Sequence, residues 1–208
     1  EQIWKNYDLK ILGPPTSTSG LYHGVLYYYL IAPFYALGKG NPQVVSIFLS
    51  FLNSLTVVPI ILLAKEIFKH IKWAFFAGFL YVIAFEATQY GPWLSNPAPA
   101  MLTVAMFFYS LWLWYRENKW GFPLAVFWVA VSSQFQFFLI YLLGVLLIFK
   151  FLFKLRITSK QLLTSLFLGT VGFGTFLVAA IKFNTIVQLM KGLVSLPATT
   201  QFDFRIEF

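Results

Sequence analysis

Long apolar runs, separated by short polar turns, constrain the fold of this chain more than any other feature. The longest, residues 121–153, would form a helix of about 50 Å, whereas the hydrocarbon core of a bilayer is about 30 Å thick. Hydrophobic residues make up 59% of the 208 residues and charged residues only 11%, well below the charged share of soluble domains. The sequence therefore predicts an all-α integral membrane protein and not a soluble domain.

Helix start signals and breaks divide the apolar runs into about six predicted spans. Asn41 and Asn96 are each followed by proline, which is the pattern of an N-cap with proline in the first turn. Polar residues at 132–136 split the longest run into two, and Thr158 with Gln161 has the spacing of a capping box. The predicted spans cover about residues 42–64, 73–89, 96–115, two spans within 121–153, and 158–181.

We predict a single membrane domain over residues 1–208, a polytopic helix bundle whose spans lie within 43–182. Residues 1–42 are predicted to form an extracytoplasmic loop with an interfacial helix, because the tyrosine-rich run 22–38 is short for a span. Residues 183–208 are predicted to be an extracytoplasmic segment that ends in an alternating, strand-like pattern. Because the chain begins without Met and ends in mid-pattern, we expect it to be a fragment of a larger protein.

Basic residues concentrate in three short loops that alternate correctly for six spans. Since Lys and Arg are enriched in cytoplasmic loops, these loops are predicted to face the cytoplasm, and a site would be built on the opposite face. This topology explains the net charge of +8 better than nucleic-acid binding does. The loops contain Lys65, Lys69 and Lys72; Arg116 and Lys119; and Lys150, Lys154, Arg156 and Lys160.

Two ionisable residues near the outer face are candidates for chemistry. His23 is either a ligand for a phosphate at the membrane surface or an interfacial histidine that bonds to the backbone. Glu86 lies near the outer end of a predicted span, where a charge is costly. It is either a metal or sugar ligand, or an acid or base, or a carboxylate that merely reaches the interface or pairs with a basic side chain.

The remaining candidates are polar or aromatic residues at predicted helix ends. Asn96 is predicted to cap a span, and its amide would also be available to a ligand. Trp93 is either an interfacial anchor or a platform for a sugar ring. Gln134 and Gln136 either satisfy the turn at the break or line the site. The absence of cysteine excludes disulfides, thiolate metal sites and a cysteine nucleophile.

Four short motifs resemble those of membrane glycosyltransferases of the GT-C type in bacteria and archaea. The most similar group is the dolichyl-phosphate-mannose-protein mannosyltransferase-like and RgtA/B/C/D-like one. The resemblance is best over residues 12–68, although Gly24-Val25 stands where Pro-Pro or Gly-Pro is commoner and Pro92 where relatives often have a basic residue. The motifs are Gly13-Pro14-Pro15-Thr16-Ser17, His23-Gly24-Val25-Leu26-Tyr27-Tyr28-Tyr29-Leu30-Ile31-Ala32-Pro33, Gly40-Asn41-Pro42 and Trp93-Leu94-Ser95-Asn96-Pro97.

The resemblance implies transfer of a hexosyl or pentosyl group from a polyprenyl-phosphate carrier to a glycan, lipid or protein acceptor outside the plasma membrane. It implies a general-base acid shortly before Glu1, with Glu1 and Asp8 as possible but less favoured substitutes. Glu86, chosen for its position in the predicted span, is the catalytic candidate within the chain. Because a missing first helix would leave an apolar groove, we expect this chain alone to be inactive. A divalent metal ion is common among relatives, but no ligand set is visible here. The predicted substrate-binding residues are His23, Tyr27, Trp93, Asn96 and Gln136.

Two other functions stay open from the sequence. A transporter or flippase would use Glu86 and the broken span at 132–136, although the halves of the chain show no internal repeat. A scaffold or assembly subunit would have no site at all. Loss of function on changing His23 or Glu86 would argue against a scaffold.

Overall fold

The computed structural model describes residues 2–5, 9–15 and 22–183, and the regular secondary structure of this part of the chain is helical apart from one isolated bridge between Pro15 and Tyr22. The predicted all-α class is therefore confirmed for the described residues. The predicted strand-like tail, together with Glu1 and Asp8, lies outside them. The helices are α1 (Gln2–Lys5), α2 (Leu26–Leu37), α3 (Pro42–Ser54), α4 (Val57–Phe68), α5 (Ile71–Val82), α6 (Phe85–Tyr90), α7 (Ala100–Tyr115), α8 (Gly121–Phe135), a 3-10 turn (Phe137–Tyr141), α9 (Leu142–Leu152) and α10 (Ser159–Phe183).

Two stretches are long and apolar enough to cross a membrane. The first is Pro42–Phe68, 27 residues that comprise α3 and α4, and the second is Ser159–Ala179 in α10. The other apolar helices have 10–17 residues each, and α2 is one of them. The length and composition of these two stretches support association with a membrane.

Two predicted helix starts are confirmed by their caps. The Asn41 side chain accepts a hydrogen bond from the backbone N–H of Gln43 at 2.9 Å, at the start of α3. At the start of α10, the backbone N–H of Gln161 donates to Thr158 Oγ1 at 3.2 Å, and Thr158 N–H donates to Gln161 Oε1 at 3.0 Å. This reciprocal pair is the predicted capping box.

The prediction that Asn96 caps α7 is wrong. The helix begins at Ala100 with Pro99 before it, and the Asn96 side chain makes no cap bond there. The second proline explains the delay: Pro99 disfavours helical backbone at Ala98, so residues 96–99 form turns instead.

Two predicted spans are interrupted. Leu55 and Thr56 separate α3 from α4, where Pro59 has no N–H to donate to the carbonyl of Leu55. The predicted span 73–89 is broken at Ala84, whose ψ of 134° is extended, so that α6 follows α5 as a separate short helix.

The predicted break at 132–136 is confirmed, since α8 ends at Phe135 and Gln136 is extended. Helix α8 is central: it packs against α7 on one side and α10 on the other. The alanine-rich face of α8 meets glycines of α10, and Gly172 lies directly against Ala130. The main core joins α7, α8 and α9 through Phe107, Leu111, Trp114, Phe122, Ala125, Val129, Leu142 and Leu146.

Candidate functional site

The backbone at the end of α8 is bound by two distant segments of the chain. The N–H of Gly24 donates to the carbonyl of Gln134 at 2.9 Å, and the N–H of Phe137 donates to His23 Nδ1 at 3.3 Å. The amide Nδ2 of Asn96 donates to the carbonyl of Phe135. The structure therefore brings His23 and Asn96 together around the break that contains Gln136.

Glycines allow the segment before α2 to approach this break closely. A side chain at Gly24 would overlap the Gln134 side chain, and its Cβ would lie 2.7 Å from the Gln134 Cα. A side chain at Gly13 would overlap the carbonyl of His23. The N–H of His23 also donates to the carbonyl of Pro14 at 2.9 Å, which holds the imidazole in place. Gly24 therefore has a structural reason to stand after His23.

His23 is half-buried, and desolvation lowers the pKa of its imidazole from the ordinary value. Because Nδ1 accepts a hydrogen bond, the neutral ring carries its proton on Nε2. His23 is therefore built to offer a neutral N–H donor rather than a positive charge. Such a donor can bind a phosphate oxygen.

A cavity of about 680 Å³ opens beside the break, between α4, α6 and α7. Its wall is mostly apolar, and its polar residues include Glu86 and Gln136. All three helix interruptions reach it, because Thr56, Ala84 and Gln136 line it. The remaining lining residues are Pro59, Ile60, Leu63, Tyr81, Ala87, Pro97, Ala100, Met101, Val104, Ala105, Phe108 and Leu139.

Three predicted site residues carry buried oxygens without a hydrogen-bond partner in the described part of the chain. They are the hydroxyl of Tyr27, Oδ1 of Asn96 and Oε1 of Gln136. Tyr27 packs with Phe135 and Ala100 in one cluster, so its hydroxyl is near the same break. A buried polar atom without a partner costs about 1–3 kcal/mol, so these atoms call for water or a polar ligand.

Glu86 and Trp93 lie further from the break. Glu86 is exposed in the first turn of α6 and borders the cavity. Trp93 is 56% exposed and packs edge-on against the Tyr90 ring at 4.8 Å, and it does not line the cavity. The position of Trp93 suits an interfacial anchor.

Sequence analysis missed Asn53, which is buried in the first apolar stretch at 3% exposure. Its side-chain Nδ2 donates to the carbonyl of Gly91 at 2.8 Å, and the backbone carbonyl of Asn53 accepts from the Tyr81 hydroxyl at 3.1 Å. It lines a smaller cavity of about 290 Å³. A lone amide within an apolar span was the available signal.

Gln134, considered from the sequence but not selected, is the most connected polar side chain at the break. Its Nε2 donates to the carbonyl of Gly172 at 2.8 Å and to Thr175 Oγ1 at 2.6 Å. It therefore ties α8 to α10 directly below the segment that carries His23.

Within residues 2–5, 9–15 and 22–183, no three His, Asp or Glu side chains come together as ligands for a metal ion. Comparison with models of protein families, with curated proteins and with solved structures gave no match.

Proposed function

We propose that this protein acts as a membrane glycosyltransferase of the GT-C type, taking a sugar from a polyprenyl-phosphate carrier. The observation that carries the proposal is the cavity of about 680 Å³, whose apolar wall meets Glu86 and Gln136. Its size falls in the range of sites for small molecules, about 300–1,000 Å³. A lipid-linked sugar has the matching chemistry, because an apolar chain and a polar head occupy one ligand.

The proposal includes about six spans and a multi-pass location in the plasma membrane of a bacterium or archaeon. Helices too short to span by themselves also present apolar side chains outwards, as a lipid-facing bundle would. Trp73, Phe75 and Phe79 of α5 are all more than half exposed, and Phe151 and Leu152 of α9 are about 70% exposed. Soluble proteins rarely leave apolar patches of this extent uncovered.

His23 is assigned to the carrier phosphate in this proposal. In the reaction, the oxygen of an acceptor hydroxyl attacks the anomeric carbon, and the bond from that carbon to the phosphate oxygen breaks. A carboxylate takes the hydroxyl proton, and polyprenyl phosphate leaves. A hydrogen bond from His23 Nε2–H stabilises the charge that develops on the departing phosphate. Gln136, the one of the three residues with unpartnered oxygens that lines the cavity, supplies an acceptor for a sugar hydroxyl. Tyr27 and Asn96 do not line the cavity.

The proton acceptor has two candidates. Glu86 is the carboxylate that borders the cavity, and the resemblance places the general base before Glu1. Determining the reading frame upstream of the Glu1 codon distinguishes them at the outset. A further span followed by an acidic residue shortly before Glu1 supports the glycosyltransferase, whereas an upstream stop codon, or an upstream segment with neither feature, argues against it.

Transfer from synthetic polyprenyl-phosphate sugars by the purified protein, expressed from its full reading frame, tests the proposal. Neutralising the general base should lower the rate about 10²- to 10⁴-fold. Glu86→Gln and the matching change of any upstream acid are the test variants. Glu66→Gln, which changes a carboxylate near the end of α4 outside the described cavities, is the matched control and should keep the wild-type rate. Absence of transfer from every donor, with the protein folded, overturns the proposal.

A transporter or flippase is the second candidate, favoured by one observation. The three helix interruptions at Thr56, Ala84 and Gln136 meet at the same cavity, and broken helices surround the binding sites of many transporters. Flux in proteoliposomes that is abolished by Glu86→Gln, without any glycosyl transfer, would establish this function instead.

A further inference from the structure

We propose that a third pocket, at the other end of the bundle, binds the phosphate of an anionic phospholipid. The pocket has a volume of about 420 Å³ and is lined in part by Lys154, Arg156 and Gln161. Helix α7 begins beside the first cavity and ends at this pocket, a distance of about 24 Å along its axis. The proposal is therefore independent of the function assigned to the first cavity.

The pocket is held in shape by contacts of α7 and α10 with the loops beside it. Trp114, only 2% exposed, forms its floor and packs against Phe122 with ring centroids 4.8 Å apart. The indole N–H of Trp114 donates to the carbonyl of Arg156 at 3.5 Å. Gln161 Nε2 donates to the carbonyl of Lys119 at 3.4 Å, so the first turn of α10 is fixed to the loop before α8.

The charge of the pocket matches a phosphate group. Lys154 and Arg156 line the pocket with a single carboxylate, that of Glu117. The three loops at this end of the bundle contain nine basic residues and only two acidic ones, and one of the two, Glu66, pairs with Lys69 at 3.0 Å. A guanidinium binds a phosphate with two hydrogen bonds, and an ammonium adds a point charge.

A lipid is the source of phosphate that this pocket suits best. Phe153 lines the pocket, and the neighbouring Phe151 and Leu152 of α9 are 71% and 69% exposed. A phospholipid could therefore place its head beside Arg156 while its acyl chains lie along α9. Basic pockets between helices on the cytoplasmic side of membrane proteins bind anionic headgroups in this way.

Native mass spectrometry of the purified full chain with phosphatidylglycerol and phosphatidylcholine tests the proposal. The test variant is the double change Lys154→Gln and Arg156→Gln. The matched control is Lys65→Gln with Lys72→Gln, which removes the same charge from exposed residues of the same face but outside the pocket. We expect wild type and control to retain phosphatidylglycerol, and the test variant to bind it roughly 10- to 30-fold more weakly. Circular dichroism of each variant establishes that it is folded.

Three outcomes would overturn the proposal. Equal losses in the test and control variants would mean that the lipid responds to overall charge alone. Equal binding of phosphatidylcholine would mean that the anionic head is not recognised. Displacement of the lipid by inorganic phosphate at equal concentration would assign the pocket to a soluble phosphate compound instead.

Discussion

At the scale of single residues, His23 connects the first loop to the break after α8 through one hydrogen bond that depends on protonation. Nδ1 accepts from the Phe137 N–H, so a proton on Nδ1 would abolish this contact. Burial lowers the pKa of His23 in the folded protein below the value of 6.5 expected in the unfolded chain. Between the pKa of His23 in the folded protein and the unfolded value of 6.5, the unfolded chain binds more protons than the folded one. The stability that depends on neutral His23 is therefore complete above about pH 6.5 and falls as the pH is lowered below that value.

We expect this linkage to appear in thermal unfolding in detergent. The melting temperature of the wild-type protein should fall between pH 7.5 and pH 5.5, and His23→Gln should show a smaller fall because glutamine keeps an acceptor without titrating. His70→Gln changes the only other histidine, whose Nδ1 accepts from the Lys72 N–H at 3.2 Å at the start of α5. The part of the pH dependence that comes from His23 should remain in this variant. Equal pH dependence in wild type and His23→Gln would refute the role of His23.

Gly24 is the residue at which the close approach of the first loop leaves no room for a side chain. Gly24→Ala would push its Cβ into the side chain and backbone of Gln134. We expect a loss of about 1–3 kcal/mol in the free energy of unfolding, as overpacking usually costs. Gly144→Ala, in an exposed position of α9 with no atom near the added Cβ, should be neutral or stabilising. Similar melting temperatures for both variants would contradict the proposed contact.

At the scale of helices, the pairing of α8 with α10 depends on a small face of α10. Gly172→Ala would place a Cβ 2.6 Å from the Cβ of Ala130, whereas Gly174→Ala would meet no atom within 4 Å. We expect Gly172→Ala to destabilise the protein by about 1–3 kcal/mol and Gly174→Ala to leave it unchanged or stabilised. Unfolding measured by denaturant titration in detergent distinguishes the two. Equal effects would show that α10 does not pack on this face.

The sequence predicted those helix ends that a local signal marks. The cap at Asn41, the capping box at Thr158 and the break at 132–136 are short-range patterns, and each is found where it was predicted. The interruption before α4 had a signal in Pro59 that was not recognised. The extended residue Ala84 has no such signal, because no glycine or proline lies at that break, and packing in three dimensions decides its backbone.

The candidate site was predictable only in part, because contacts between distant parts of the chain leave no local signal in the sequence. His23, Asn96 and Gln136 stand out as polar residues in apolar surroundings, and the structure groups them. The hydrogen bonds that place His23 and Asn96 there join their side chains to backbone groups more than 35 residues away, which no local pattern encodes. Trp93 belongs to a motif that resembles one of the family. Its ring nevertheless lies outside the cavity, because Trp93 follows the turn after α6.

At the scale of the whole molecule, the three basic loops share one end of the bundle. Arg116, after α7, lies close enough to Glu66, near the end of α4, to interact with its carboxylate. The first turn of α10 bonds to the loop before α8 through Gln161. The candidate cavity, in contrast, opens near the start of α7. The arrangement agrees with spans that alternate in direction, with the basic end facing the cytoplasm.

The absence of cysteine from the sequence makes this orientation directly testable. Gln89→Cys places a single thiol on the exposed end of α6, beside the candidate cavity, and Lys119→Cys places one in an exposed loop of the basic end. We expect a membrane-impermeant maleimide to label the first variant in intact cells and the second only after the membrane is permeabilised. Labelling of both variants in intact cells would refute the membrane crossing that is predicted between residues 89 and 119. Labelling of Lys119→Cys alone would reverse the orientation, and the candidate cavity would then open towards the cytoplasm, where transfer from an outward-facing carrier could not take place.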